Sequence, residues 1–483
     1  MIEKEDILSN LIKENLSEIP STINKKTSKN NVKFEYREEY YQIKQIIDNY
    51  IDKEETHERF LVLPGIRGVG KTTLLYQIYE YLFKEKNIPI NQILYLTCDD
   101  IDDITECNLR EIIELYLKNH HQITPRMLEK KIFLLIDEAQ YDRNWARIGK
   151  ILFDKTENIL MIFTGSSSLN LEDNADAKRR FKKILIPPIS YEQHIKLKYN
   201  IDFENNSEDF KNLLNTGNIE EIEKREFFTK TLLSNNVEYT ENDWRRYVLY
   251  GGYPVNYNET DISDIKDNLV EIVEKVIDSD LKKIKSMSDE NKANSNRTIR
   301  YLALQSSNDT SMDKIANYLK TSTSNVKTIL DCLEKTQIIF HCEPYGSSSK
   351  RTRKSWKYYF ATSSLKNALV SSMGNPNKII SQYEGILLEN MVAGKLHQFI
   401  TYNKEYTLHY DSNKKGNVDF ILHKDFRKPV PIEVGRGKKD KKHIKEAMNH
   451  YKSEYGIIVS NKTEKIESED NVIYIPPKSF ALL

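Results

Sequence analysis

Short unbroken apolar runs alternate along the first third of the chain with stretches whose apolar residues recur every three or four positions. Phe60–Leu63, Ile93–Leu96, Ile132–Ile136 and Ile159–Phe163 are runs of four or five, the length and pattern of buried parallel strands. Leu74, Leu75, Ile78 and Leu82 repeat with helical spacing, and Leu109 to Leu117 forms a second helical stretch. Ile7, Leu8, Leu11 and Ile12 predict a short helix, after which Ser/Thr/Asn/Lys-rich sequence to about residue 33 predicts a flexible segment. Phe34 to Ile51 predicts a helix leading into the first strand. Residues 190–290 are charged and helical in pattern, with Gly251-Gly252-Tyr253-Pro254 as a fixed turn. Further on, Ile315 and Leu319 mark one helix from Met312 to Lys320. Val326, Ile329, Leu330 and Leu333 mark another from Asn325 to Glu334, with the turn Thr321-Ser322-Thr323 between them. Strands Ile338–Cys342 and Lys357–Phe360 follow. Near the C-terminus a helix opens at Tyr383, and residues 416–422 and 430–434 read as two strands.

The join between the first strand and its helix carries chemistry. Gly65-Ile66-Arg67-Gly68-Val69-Gly70-Lys71-Thr72-Thr73 fits Gly-x-x-x-x-Gly-Lys-Ser/Thr in the strand–turn–helix setting that a phosphate-binding loop requires. The glycines allow a tight backbone turn whose N–H groups point at a nucleotide phosphate, and the helix adds its partial positive N-terminus. Lys71 is placed to reach the β- and γ-phosphates, and the Thr72 hydroxyl to ligate Mg²⁺. About 65 residues on, the Ile132–Ile136 run ends in Asp137-Glu138, a Walker B strand. Asp137 is expected to support the metal and Glu138 to polarise the attacking water. A nucleotide switch and a hydrolase would both keep Asp137; Glu138 points toward hydrolysis.

Other strand ends supply lesser candidates. Asp99 and Asp100 follow the second strand and would either approach the metal through water or cap the next helix. After Phe163, Ser166 is the expected γ-phosphate sensor, with Thr164 and Ser167 as alternatives. In Arg179-Arg180, Arg180 is a candidate finger acting across a subunit interface, a role that needs at least a dimer, or else a surface cation. Phe34, Tyr36 and Tyr40 would line an adenine or fill the core.

Composition narrows the class without naming a partner. Lys+Arg and Asp+Glu each number 72 among 483 residues, so only local charge can indicate a ligand. The length suggests roughly three domains. The polar start Met1-Ile2-Glu3-Lys4 and the absence of a long apolar run argue against a secretory signal and a membrane span. Cys98, Cys107, Cys332 and Cys342 form no C-x-x-C pair, which fits reduced thiols and a cytoplasmic location.

Taken in order, the phosphate loop, the Asp-Glu strand, Phe163-Thr164-Gly165-Ser166-Ser167, Pro187-Pro188-Ile189-Ser190-Tyr191-Glu192 and Gly251-Gly252-Tyr253-Pro254 resemble a prokaryotic family of AAA-type ATPases, the archaeal-type ATPases. The resemblance implies an α/β protein. It would have an N-terminal extension (1–33), a P-loop AAA-type ATPase core with a parallel sheet (34–190), and a helical lid with an insert (191–300). A winged helix (301–365) and an α/β restriction-endonuclease-like domain (378–483) would follow. ATP and Mg²⁺ are the implied cofactors.

The C-terminal half adds two looser expectations. The helix pair and strands over 309–360 match a winged helix whose basic segment offers Lys350, Arg351, Arg353, Lys354 and Lys357 to DNA phosphates, with Lys327 on the second helix. The alternative is a solvated hairpin beside packing helices. Glu389, Asp419 and Glu433 resemble the carboxylates of PD-(D/E)xK nucleases, which would hold a second divalent metal. The lysine normally two residues after that glutamate is Gly435 here, leaving Lys438, Lys442 or Lys445 to substitute. Without it the fold would serve nucleic-acid or protein-partner binding rather than cleavage.

Overall fold

The structure is a computed structural model. It describes residues 2–29, 32–53, 55–104, 108–166, 175–201, 206–257, 259–281, 287–305, 310–353, 355–374, 380–413, 417–435 and 441–483. The chain divides into two units, Met1–Pro187 and Pro188–Leu483.

The first unit runs α1 (Ile2–Thr27), a two-residue pair of strands β1 (Ser28–Lys29) and β2 (Val32–Lys33), α2 (Glu38–Asp52), β3 (Phe60–Pro64) and α3 (Lys71–Glu80). It continues with β4 (Ile93–Thr97), α4 (Cys98–Ile104), α5 (Leu109–Tyr116), β5 (Ile132–Asp137), α6 (Trp145–Lys155), β6 (Ile159–Gly165), α7 (Ala175–Lys178) and β7 (Lys182–Lys183). Five strands form one sheet in the order β4-β5-β6-β3-β7, and every neighbouring pair is parallel. All residues of β3, β5 and β6 are buried, which is why their sequences are continuous apolar runs rather than alternating ones. Because β6 is inserted between β3 and β5, its C-terminal end lies between the phosphate loop and Asp137-Glu138.

Two N-terminal expectations change. The short helix extends to 26 residues, and Leu8, Ile12, Ile19 and Ile23 are all buried, the first two in the core of the sheet. That apolar stripe, continued at helical spacing past the polar residues and Pro20, outweighs the local breaker. Residues 1–33 therefore belong with the ATPase unit. The second helix begins only at Glu38, leaving Phe34–Arg37 outside it, with Arg37 in extended conformation as the residue before the first turn.

The second unit opens with α8 (Tyr191–Tyr199), α9 (Asn206–Thr216), α10 (Glu220–Asn235), α11 (Glu241–Tyr250), α12 (Ile262–Lys275) and α13 (Asp289–Leu304). Next come α14 (Met312–Leu319), α15 (Thr323–Lys335), β8 (Ile339–Pro344), α16 (Ser348–Arg353), β9 (Lys357–Phe360) and α17 (Ser363–Ser372). The last part is α18 (Ile380–Tyr402), β10 (Tyr406–Tyr410), β11 (Phe420–Lys424), β12 (Val430–Gly435), α19 (Lys441–Tyr451), β13 (Gly456–Ser460), β14 (Glu467–Glu469), β15 (Val472–Ile475) and α20 (Pro477–Leu482). Ser311 and Ser322 cap α14 and α15 by accepting the N–H groups of Lys314 and Asn325, each at 3.2 Å.

Strand pairing runs across the border expected between the winged helix and the C-terminal domain. Eight strands form one mixed sheet, β14-β15-β13-β12-β11-β10-β8-β9, in which β8 pairs in parallel with β10. The hairpin expected as the wing of a winged helix continues the C-terminal sheet. Its basic connection is helical over Ser348–Arg353 rather than an open loop. The first helices of the expected lid pack into the core of the same sheet. Tyr191, Ile195, Phe210, Leu213, Ile222 and Leu233 share one core with Val392, Leu396 and Ile432 of α18 and the sheet. Apolar faces of α8–α10 find there the burial that their charged sequence conceals.

Candidate nucleotide-binding site

The site grows from the ends of three parallel strands. After β3 the chain turns through Gly68 (φ 84°) and Gly70 (φ 96°), left-handed values that a side chain would strain. Gly65 is required for another reason: a Cβ there would lie 2.3 Å from the Ile186 carbonyl. Val69 is buried, and Arg67 is half-buried. Gly70 precedes α3 without any side-chain cap, so the first N–H groups of a helix beginning at Lys71, Thr72 and Thr73 have no capping side chain. The Lys71 ammonium folds back over the loop and donates to the carbonyls of Gly65 (2.9 Å) and Ile66 (3.2 Å).

Across from it stands Asp137, 2% exposed at the end of β5. Its carboxylate accepts from the hydroxyls of Thr72 (2.6 Å) and Tyr95 (3.3 Å) on Oδ2, and from the Thr164 hydroxyl on Oδ1. Burial, then the neighbouring Glu138 charge, holds this carboxyl above its usual range, while the Thr164 and Thr72 hydroxyls and Lys71 pull it back down. Glu138 takes a left-handed conformation, φ 50°, and its N–H donates to Asp137 Oδ1 (3.1 Å) and Thr164 Oγ1 (3.3 Å). Of the β6 candidates it is thus Thr164 whose hydroxyl reaches Asp137. Ser166, 3% exposed, donates its N–H to Gln140 Oε1 at 3.1 Å, and Ser167 lies outside the described residues.

Asp99 and Asp100 fall in the first turn of α4. Burial, then Asp100, then Glu138 raise the Asp99 carboxyl above its ordinary value. Arg180 forms an ion pair with Asp154 at 2.6 Å. Tyr40 is 2% exposed and stacks on Tyr36 at 4.0 Å, so the ring occupies the core.

Two residues were missed in the sequence. Buried Arg37 donates to the carbonyls of Val69 in the phosphate loop (2.6 Å) and Pro187 (3.0 Å), and to Glu39 Oε2 (2.6 Å). Gln140 joins Glu138 to the β6 end. Neither is marked by a motif: each meets a glutamate two residues away, and its remaining partners are backbone atoms far off in sequence.

In the second unit, Glu389 accepts from the Tyr359 hydroxyl (2.9 Å), with Lys357 Nζ at 4.0 Å, and Asp419 accepts from the Val434 N–H (2.7 Å). Glu433 is buried on β12. Among the described residues no group of three or more His, Cys, Asp or Glu is arranged to hold a metal ion, so the expected second metal finds no support. Gly435 ends β12, and Lys438 lies outside the described residues. Lys357 is only 13% exposed, its Nζ 4.0 Å from Glu389. Arg351 is half-buried and donates to the Gly346 carbonyl (3.0 Å). The side chains of Lys350 and Arg353, and Lys354 altogether, lie outside the described residues. No described helix is long and apolar enough to cross a membrane.

A parallel sheet with this loop after β3 and Asp-Glu after β5 defines an AAA-type P-loop ATPase core, and residues 57–195 match a family model described as an AAA domain. Residues 241–376 and 384–480 match two models, each described as a domain of unknown function. An uncharacterised protein of Methanocaldococcus jannaschii is 32% identical over 447 residues, covering 92% of this chain and 89% of its own. The chain belongs to the family of that archaeal protein. A second uncharacterised protein of the same organism is 24% identical over 389 residues, 78% of this chain and 75% of its own. Among solved structures, the Aeropyrum pernix ORC1 protein in complex with DNA aligns over 72% of this chain and 96% of its own. Its identity is 12% and its TM-score 0.31, a likeness too slight to bear on function.

Proposed function

We propose that this protein binds ATP with Mg²⁺ at the β3–α3 loop and hydrolyses it. The observation that carries the reading is the meeting of the Thr72 hydroxyl with the buried Asp137 carboxylate at 2.6 Å, beside Lys71 and the open start of α3. A hydroxyl and a carboxylate are the hard oxygen donors that suit Mg²⁺, and a carboxylate buried without a full counter-charge suits a cation at this point. Bound there, the ion would neutralise phosphate charge. Lys71 and the N–H groups of Gly68 to Thr73 hold the β- and γ-phosphates. Glu138 takes the proton of the attacking water, while Thr164 and Ser166 read the β6 side of the site.

The test is ATP hydrolysis by the wild-type protein, alone and with single- or double-stranded DNA, against Glu138→Gln. Turnover by the wild type and none by the variant is expected. Normal turnover by Glu138→Gln would remove the base assignment. Stimulation by DNA would couple the second unit to the ATPase; a slow rate indifferent to DNA would favour an ATP-gated switch acting through assembly or a protein partner.

For the second unit, the two serine-capped helices α14 and α15 ahead of the β8–β9 hairpin favour DNA engagement. Binding through Arg351 and its neighbours would weaken steeply as salt rises. Cleavage has no comparable support, since among the described residues no group of three or more His, Cys, Asp or Glu is arranged to hold a metal ion and Gly435 stands where a lysine is needed.

A further inference from the structure

Gln140 stands two residues beyond Glu138, on the turn that leaves β5. The left-handed conformation of Glu138 reverses the chain there, so that the Gln140 amide reaches back to Glu138 and across to β6. Its Nε2 donates to Glu138 Oε2 and its Oε1 accepts the Ser166 N–H at 3.1 Å. These partners fix which way the amide points: a carboxylate only accepts and a backbone N–H only donates. The Glu138 N–H is meanwhile held by Asp137 and Thr164. Backbone and side chain of Glu138 are thus tied to the same strand end by separate bonds.

We infer that Gln140 is the positioning residue for the Glu138 carboxylate, coupling the orientation of the base to the end of β6 at Ser166. The inference rests on the reading of Glu138 as general base. Proton transfer needs that carboxylate within hydrogen-bond reach of the attacking water, and a free glutamate side chain spreads over several rotamers. An amide donor on Oε2 selects one orientation and leaves Oε1 to the water. Because the other end of the amide is anchored to Ser166, displacement of the β6 end turns the base with it. The base then becomes competent only when the strand end beside the phosphate loop is in its proper place. A packing role for Gln140 would predict none of this dependence on its two polar atoms.

Gln140→Met keeps the length of the side chain and removes both hydrogen bonds. Gln140→Glu keeps an acceptor for Ser166 but sets a second carboxylate against Glu138. Steady-state hydrolysis by both is compared with wild type and Glu138→Gln, together with ATP affinity and the thermal midpoint. The expected result for Gln140→Met is kcat lower by roughly 10- to 100-fold, with KM and affinity within about twofold of wild type. Gln140→Glu should be at least as slow, because it loses the donor. Wild-type kcat in Gln140→Met beside an inactive Glu138→Gln overturns this inference alone. A raised KM with unchanged kcat also overturns it, since Gln140 would then serve nucleotide binding. Normal turnover by Glu138→Gln removes the base itself, and this inference with it.

Discussion

The Thr72 hydroxyl donates to the Asp137 carboxylate across 2.6 Å, joining the first turn of α3 to the end of β5 although 65 residues separate them. Each is an oxygen donor suited to Mg²⁺; Thr72 opens the helix that follows β3 and Asp137 ends β5, two strands of one parallel sheet. Thr72→Val preserves the shape and removes the hydroxyl. ATP affinity measured with Mg²⁺ should fall by about tenfold, near 1.4 kcal/mol, while affinity measured without Mg²⁺ stays close to wild type. Titration calorimetry under the two conditions decides it. Equal losses with and without the ion would place Thr72 outside the metal site.

Arg37 and Glu39 form an ion pair at 2.6 Å in which each residue is 5% exposed. Arg37→Ala would leave the Glu39 carboxylate buried without its partner and the carbonyls of Val69 and Pro187 without their donor. Loss of roughly 3–5 kcal/mol from the first unit is expected. Removing both charges, as Arg37→Leu with Glu39→Leu, should recover a substantial part of it. Urea unfolding of the three proteins would show this. A double variant as unstable as Arg37→Ala would mean that the stranded charge is not the cause.

These two relationships mark the boundary of what the sequence discloses. Gly65–Thr73 and Asp137-Glu138 are legible because the chemistry dictates local backbone: left-handed glycines at 68 and 70, a helix opening at Lys71, and carboxylates where a buried strand ends. Arg37 and Gln140 are not, since beyond a glutamate two residues away each acts on carbonyls or N–H groups that any residue would present. The same reasoning explains the second unit. Apolar runs disclosed the strands, but nothing in them disclosed that β8 would pair with β10 across the expected border. Helix α1 was underestimated because Pro20 and its polar residues are read locally, whereas Ile19 and Ile23 are buried by tertiary contact.

Asn390, beside the expected metal ligand Glu389, has a structural task. It donates from Nδ2 to the Phe360 carbonyl and accepts the Phe360 N–H, both at 2.9 Å, closing the outer side of edge strand β9. Asn390 and Phe360 are each 1% exposed. Asn390→Ala would leave both backbone groups buried without these partners and should cost roughly 2–4 kcal/mol. Asn390→Asp should also destabilise, because a carboxylate cannot donate to the carbonyl. Chemical denaturation would test the pair; an alanine variant of wild-type stability would show that water or a shifted strand replaces the side chain.

His409 on β10 gives the second unit an acid-sensitive point. The residue is 4% exposed, its ring 5.6 Å from that of Tyr345. Burial first, then the charges of Arg351 and His423, lower its pKa from 6.5 to about 4, against a smaller opposing effect of the Glu343 backbone. The fold thus favours the neutral ring, whereas the unfolded chain takes up a proton near pH 6.5. The stabilisation is complete above that value and is lost as pH falls through the interval from 6.5 to 4. The whole interval amounts to roughly 3 kcal/mol for this one group, at 1.36 kcal/mol per pKa unit. His397, lowered to about 4 chiefly by burial, acts in the same direction and window. His409→Gln cannot titrate, so between pH 7 and pH 4.5 it should lose less stability than wild type, by about 2 kcal/mol. Denaturant unfolding at the two pH values, followed by a probe in the second unit, would measure the difference. An identical pH dependence in the two proteins would mean that His409 is protonated in the folded state without penalty.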